Sequence, residues 1–206
     1  MVRVLEKKER SLGTRLSIRG DRANSPKAAI IRKPYKPGQH GKRFSKSSEF
    51  GTQLLEKQKI KFSYGVTERQ LKKIFENAQS QKKVSAIDAV MTFLESRLDN
   101  VVVRLGFAPS RSVARQFVGH GHFLVNGRKT TTPSYQVKSG DLITLKESSK
   151  SMPIFEDIKN KLKNYTVPSS WLSLNKDTLE GKVESVPKDV DFPFNINLVV
   201  DYYSKK

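Results

Sequence analysis

The sequence predicts an α+β protein built from a basic extended amino-terminal arm, a mostly helical region and a small module of two helices with an antiparallel sheet. Three observations predict it. Pro and Gly break every period ahead of Ser48, apolar residues then recur at helical spacing as far as Val118, and an Asn-Gly turn with strand-like flanks follows at Asn126 and Gly127.

The first 45 residues keep no sustained period of 3.6 or 2. Pro34, Pro37, Gly38 and Gly41 lie among cations in "IRKPYKPGQHGKRFSKSS", which predicts an arm. Tyr35 and Phe44, set between Lys and Arg, offer stacking faces to RNA bases. A basic tail that orders only on its partner has the same composition.

From Ser48 the pattern turns helical through Leu54 and Leu55, and Gly65 closes that helix. Thr67 and Gln70 form a capping box for a second helix. Its stripe is Leu71, Ile74, Phe75 and Ala78, with Arg69, Lys72 and Lys73 facing away. A third helix opens at Ser85 and keeps helical spacing from Ile87 through Leu94, Leu98 and Val101 to Leu105, ending at Gly106. Arg97, Asn100 and Arg104 form its polar flank, either touching phosphate or solvated.

Ser110 caps a fourth helix in which Val113, Ala114, Phe117 and Val118 cover one arc while Arg111 and Arg115 border it. Its amino end joins free backbone N–H groups to Ser110 and Arg111, a seat for phosphate. Because Arg111 and Arg115 flank the core, alanine at either is expected to weaken RNA binding with little loss of stability. "HFLVNGRKTTTPSYQVKSGDLITL" then reads as a strand, the Asn126-Gly127 hairpin turn, a second strand broken at Pro133, and a last strand after Asp141.

Charge narrows the partner. Thirty-nine Lys and Arg against 20 Asp and Glu give +19, distributed as +10 over 1–50, +4 over 51–93, +5 over 94–150 and zero over 151–206. A polyanion, with nucleic acid first and an anionic membrane second, is expected over the first three quarters. The neutral end is aromatic, with Trp171, Phe192, Phe194, Tyr202 and Tyr203, and suits core or a protein interface. The arm is too rich in Pro and Gly for a membrane-surface helix.

No run of about 18 apolar residues exists, and the first residues lack a signal peptide's apolar middle, so a cytoplasmic protein is expected. Zero cysteines exclude disulfides, iron–sulfur clusters and thiol catalysis. The three histidines, His40, His120 and His122, have no acidic neighbours at ligand spacing. No metal, cofactor or small-molecule substrate is expected.

"RLDNVVVRLGF", "SRSVARQFV", "GH", "VNG" and "PSYQVKSGD" together resemble the small RNA-binding domain named after ribosomal protein four of the small subunit. The resemblance implies a helix-plus-hairpin platform that recognises structured RNA. It implies RNA-facing roles for Arg97, Ser110, Arg111, Arg115, Gln116, His120, Asn126, Gly127 and Ser134.

"KPGQHGKR", "LLEKQKIKFSYGVTERQ", "SWLSLN" and "EGKVESVPKDVDFPFNINLVVDYYSK" extend the likeness, in order, to the bacterial family of small-subunit ribosomal protein four. The arm motif adds Lys36, Gln39, His40, Lys42 and Arg43 as RNA contacts, His40 as a stacking or hydrogen-bonding group.

The family likeness implies four segments: an RNA-contacting arm at 1–45, a helical domain at 46–93, the RNA-binding domain at 94–165, and a segment at 166–206 that returns to complete the helical domain. It further implies direct binding to a junction in the 5′ domain of 16S ribosomal RNA, nucleating subunit assembly. Contacts with small-subunit proteins five and three follow, near the channel where messenger RNA enters, with an effect on decoding accuracy. Some relatives hold zinc through cysteines in the arm; none exist here, so that metal is not transferred and the arm is expected to order on RNA.

Two other readings share the domain. A free-standing RNA-binding protein leaves the aromatic end unexplained. An RNA-modifying enzyme would use Arg97-Leu98-Asp99, which resembles the catalytic triplet of pseudouridine synthases. Here "NVVVRL" continues the apolar stripe where a glycine-bearing loop should follow, so Asp99 reads as an ion-pair or capping partner.

Overall fold

The computed structural model describes residues 6–16, 18, 20, 25–43, 46–81, 84–187 and 194–204; Phe44 and Phe192 lie outside them. The elements found there are α1 (Lys7–Leu12), α2 (Ala29–Arg32), α3 (Glu49–Tyr64), α4 (Glu68–Ser80), α5 (Ala86–Glu95), α6 (Leu98–Arg104) and α7 (Arg111–Gly119). They continue with β1 (Phe123–Val125), β2 (Arg128–Lys129), β3 (Leu142–Leu145), α8 (Glu147–Lys150), α9 (Pro153–Leu162), β4 (Leu172–Asn175), β5 (Glu180–Val183) and α10 (Ile196–Ser204). The fold is α+β, in two compact units, 1–90 with 191–206 and 91–190.

In the first unit the arm, expected to be extended, is helical in part, because its own side chains satisfy its backbone. The buried Glu9 carboxylate accepts the Leu16 N–H at 2.9 Å, and Arg10 Nε donates to the carbonyls of Lys33 and Tyr35 at 3.0 and 3.2 Å.

The caps of α3 and α4 lie where the sequence predicts. The Ser48 hydroxyl accepts from Gly51 N–H, Gly65 closes α3 at φ 61°, and Thr67 and Gln70 exchange both bonds of a capping box. Leu71, Phe75 and Ala78 are buried as predicted.

The inner face of α3 differs from expectation. Leu54 and Leu55 are half-buried, while Gln53, Glu56 and Lys57 are buried. The reason is α10, which packs along α3 and supplies partners. Lys57 Nζ donates to Glu68 Oε1 at 2.8 Å and to the Tyr202 hydroxyl at 3.3 Å, and sits 4.5 Å from the Tyr202 ring centroid. Asn195 N–H donates to Glu56 Oε2 at 2.8 Å. A buried ammonium is tolerable only when paired and bonded in this way. Tyr203 stacks 4.8 Å from Phe75 and donates its hydroxyl to Glu68 Oε1 at 3.1 Å; burial and the Glu68 charge push its phenol up.

Burial pushes Glu68 up, but bonds from Lys57, Lys61 and Tyr203 outweigh it and hold the carboxyl below its usual range. A depressed carboxylate stabilises above its unfolded pKa, about 4.3, and loses that contribution as pH falls below it. Protection of α10 amides against hydrogen exchange is therefore expected to drop below about pH 4 in the parent. Glu68→Gln is expected to show lower protection at neutral pH and a flatter acid response.

In the second unit all strand pairs are antiparallel, in the order β2-β1-β3-β5-β4. Val125 pairs with Arg128 across the Asn126-Gly127 turn, whose φ values of 50° and 77° suit this pair of residues. The sheet is wider than the three strands expected, because the carboxyl-terminal segment adds two. The stretch read as one segment, 166–206, divides: Leu172–Val183 pairs within the 91–190 unit, and Ile196–Ser204 joins the helical unit. One core takes in Val102 of α6 and Leu105 at its carboxyl end, Phe117 of α7, Phe123 and Ile143 of the sheet, Phe155 of α9, and Trp171. A Cβ on Gly181 would collide with the side chain of the fully buried Leu105, which would have to shift to admit it, so glycine lets β5 approach the end of α6 closely.

The predicted third helix is two. α5 stops at Glu95 and α6 restarts after an extended Arg97, at φ −65° and ψ 135°. The 133–137 loop causes the break by capturing α6's first donors: Leu98 N–H bonds Tyr135 O at 2.9 Å and Asp99 N–H bonds Pro133 O at 3.1 Å. Leu94 and Leu98 are both fully buried, so the apolar spacing runs straight through the break.

Candidate nucleic-acid interface

Ser110 is buried and caps α7, its hydroxyl accepting from Val113 N–H. Arg111 and Arg115 therefore lie one turn apart, and both turn toward α6. Arg111 Nε donates to Asn100 Oδ1 at 2.8 Å, while Arg115 donates through Nε and Nη2 to Asp99 Oδ2 at 3.0 and 2.6 Å. Arg97 forks onto the same carboxylate, Nε to Oδ1 at 3.1 Å and Nη2 to Oδ2 at 2.9 Å.

In the polar flank Arg97 and Asn100 are buried, and Arg104 is partly exposed but engaged. Asn100 Nδ2 donates to Glu95 Oε2 at 2.8 Å, and Arg104 donates to both Glu95 oxygens. Glu95, Arg97, Asp99 and Asn100 are all at least 95% buried. Arg97 is thus an internal residue, and Arg115, whose side chain is 18% exposed, has a structural duty besides any at the surface. The expectation that Arg115→Ala would cost little stability gives way accordingly.

Asn126 is exposed but engaged. Its Nδ2 donates to Asp141 Oδ1 at 2.8 Å and its Oδ1 accepts Leu142 N–H at 2.9 Å, tying the hairpin turn to the start of β3. Asn126→Asp would set a second carboxylate against Asp141. It is expected to lower stability at neutral pH, because like charges meet at close range; urea unfolding at pH 7 checks this.

The other sites suggested by the sequence face outward: Gln116 on α7, His120 at its carboxyl end, Gly127 at the hairpin tip, and Ser134 in the loop over α6. Beside Ser134 the Tyr135 ring is 37% exposed, an aromatic surface that the sequence reading passed over. In the other unit, Lys36, Gln39, His40, Lys42 and Arg43 are all exposed on consecutive turns closed by Gly41 N–H to Gly38 O and Arg43 N–H to His40 O. Tyr35 lies between two cations, 5.1 Å from the Arg10 guanidinium and 5.4 Å from Lys42 Nζ.

Glu95, and the relay through Asn100 to Arg111, were also missed. One signal was present: Glu95 and Asp99 are the only acids between Asp88 and Asp141, both within an apolar stripe.

Residues 5–95 match the family described as ribosomal protein S4/S9 N-terminal domain, and residues 96–143 match the S4 domain. The curated small ribosomal subunit protein uS4 of Halothermothrix orenii is 46% identical over 195 residues, covering 94% of this chain and 93% of its own. The chain belongs to the uS4 family. Members from Caldicellulosiruptor saccharolyticus, at 47% over 94% of this chain and 93% of theirs, and Trichlorobacter lovleyi, at 45% over 92% and 91%, carry the same name.

Membership in uS4 makes the chain a structural protein of the small ribosomal subunit, with no reaction to catalyse. The pseudouridine synthase reading fails on the same ground, and Asp99, 1% exposed between two arginines, is the ion-pair partner that the sequence suggested. The chain has no cysteine and so offers no thiolate to a metal. Among the described residues no cluster of three or more His, Asp or Glu could hold a metal, and no helix is long and apolar enough to cross a membrane.

Proposed function

We propose that this uS4 protein binds 16S ribosomal RNA directly, at a multi-helix junction in the 5′ domain, and nucleates assembly of the subunit in the cytoplasm. The exposed basic turns at 36–43 carry this reading, since they present cations with no acid among them on a chain of net charge +19. The RNA-facing set comprises Lys36, Gln39, His40, Lys42 and Arg43 in the arm, and Gln116, His120, Gly127 and Ser134 in the domain. Arg111, bonded to Asn100, and Arg115, paired with Asp99, meet RNA from those positions, while Arg97 and Ser110 support the surface from within and Asn126 fixes the hairpin turn.

Contact with small-subunit protein five, and through it an effect on decoding accuracy, belongs to the helical unit. There Phe50 is 56% exposed and lies 5.6 Å from the Tyr202 ring of α10, an apolar face suited to protein. Protein three and entering messenger RNA are its further neighbours in this reading.

Filter binding of the full chain to 5′-domain ribosomal RNA and to a scrambled RNA of equal length tests the proposal. Tighter binding to the former is expected, with log K falling against log salt by about 0.7 to 0.9 per phosphate neutralised. Replacing Lys36, Lys42 and Arg43 by alanine should make that slope shallower by about two to three phosphates. Equal affinity for the two RNAs would remove the proposal.

A further inference from the structure

Two acids buried inside a domain that meets a polyanion reduce its attraction for that partner at every distance. Affinity alone gives no reason for them. We infer that Asp99 and Glu95 are positioning residues, each holding arginines in one orientation so that α7 meets folded RNA with Arg111 and Arg115 already set. The inference rests on the RNA-binding reading above.

The geometry is directional on both branches. Asp99 is itself fixed, since Pro133 O takes its backbone N–H and Arg97 occupies both carboxylate oxygens, so Oδ2 offers Arg115 one fixed point for Nε and Nη2 together. A guanidinium bonded through two nitrogens keeps one plane, and the 18% of this side chain that stays exposed is aimed rather than free to sweep. On the second branch Glu95 accepts Asn100 Nδ2, which turns Asn100 Oδ1 toward Arg111 Nε. The amide's orientation is thereby set by Glu95, whose backbone carbonyl accepts the same Nδ2 at 3.0 Å beside the carboxylate, and is passed to the arginine. Less side-chain freedom is lost when such a surface binds, and only an RNA whose phosphates match the set positions gains from it.

Charge and positioning predict opposite signs for one substitution. Asp99→Asn raises the net charge by one, so charge alone predicts tighter binding to any RNA. Positioning predicts weaker binding to the folded target. The test is filter binding of the full chain, folded by circular dichroism, to 5′-domain ribosomal RNA and to the scrambled RNA, for the parent, Asp99→Asn, Glu95→Gln and Arg115→Lys.

Asp99→Asn and Arg115→Lys are expected to lose roughly tenfold of the preference for 5′-domain RNA, with affinity for scrambled RNA unchanged or raised. Glu95→Gln should lose less, because its amide oxygen still accepts. Preference retained in folded Asp99→Asn, or affinity for both RNAs falling together, overturns the inference. Should Asp99→Asn not fold, Arg115→Lys decides, since lysine keeps the charge and cannot fork: retained preference overturns the positioning role. A parent chain without preference would remove the RNA-binding reading first, and this inference with it.

Discussion

Asp99→Ala is expected to cost about 3 to 5 kcal/mol of stability, an unusually large loss for one polar side chain. Its carboxylate is 1% exposed and answers two guanidinium groups. Removal leaves Arg97, 4% exposed, charged and without its carboxylate, beside a second cation. Desolvation of that orphaned charge, more than the lost Coulomb attraction, sets the size of the effect. Arg115→Ala is expected to cost less, because Asp99 keeps the Arg97 fork. Urea unfolding of the full chains followed by circular dichroism measures both, and a loss for Asp99→Ala near that of a surface ion pair, below about 1 kcal/mol, would place the pair in solvent.

Trp171→Ala is expected to cost about 3 to 5 kcal/mol. The ring is 2% exposed in the core that holds Leu105, Phe155 and Val183, and truncation leaves a cavity that the surrounding strands cannot close. Hydrogen exchange of the variant should show lost protection within 91–190, with α3, α4 and α10 little changed. Lost protection in those three helices instead would assign the 166–183 stretch to the helical unit.

Local chemistry was the most legible part of the sequence. Ser48, Gly65, Thr67 with Gln70, Ser110 and the Asn126-Gly127 turn each satisfy their own neighbourhood, so a few adjacent residues are enough to place them. What needed a distant partner stayed hidden. The break at Arg97 is made by carbonyls at 133 and 135, the inward face of α3 by Asn195 and Tyr202, and the full width of the sheet by β4 and β5. Arg111 and Arg115 stood out in sequence as charges bordering a core, and their spacing was read correctly. Their targets were not legible, because Asp99 and Asn100 lie in what reads as an uninterrupted apolar helix.

This sorting of charge explains why one chain can be strongly basic and still fold. Cations near the core of the second unit are matched by Glu95 and Asp99, which keeps self-repulsion out of the packed region, while the basic turns of the arm carry exposed cations with no such partners on neighbouring positions. Under the RNA-binding proposal, the ion-paired unit would supply fit and the arm would supply charge.

Assembly of small subunits from 16S ribosomal RNA and the full protein set, with and without this chain, tests that account most directly. Sedimentation and protein content of the particles give the readout. The account predicts that omission yields slowly sedimenting particles lacking later-binding proteins, and that adding the chain first restores them. Complete particles of normal sedimentation and activity formed without it would contradict the account.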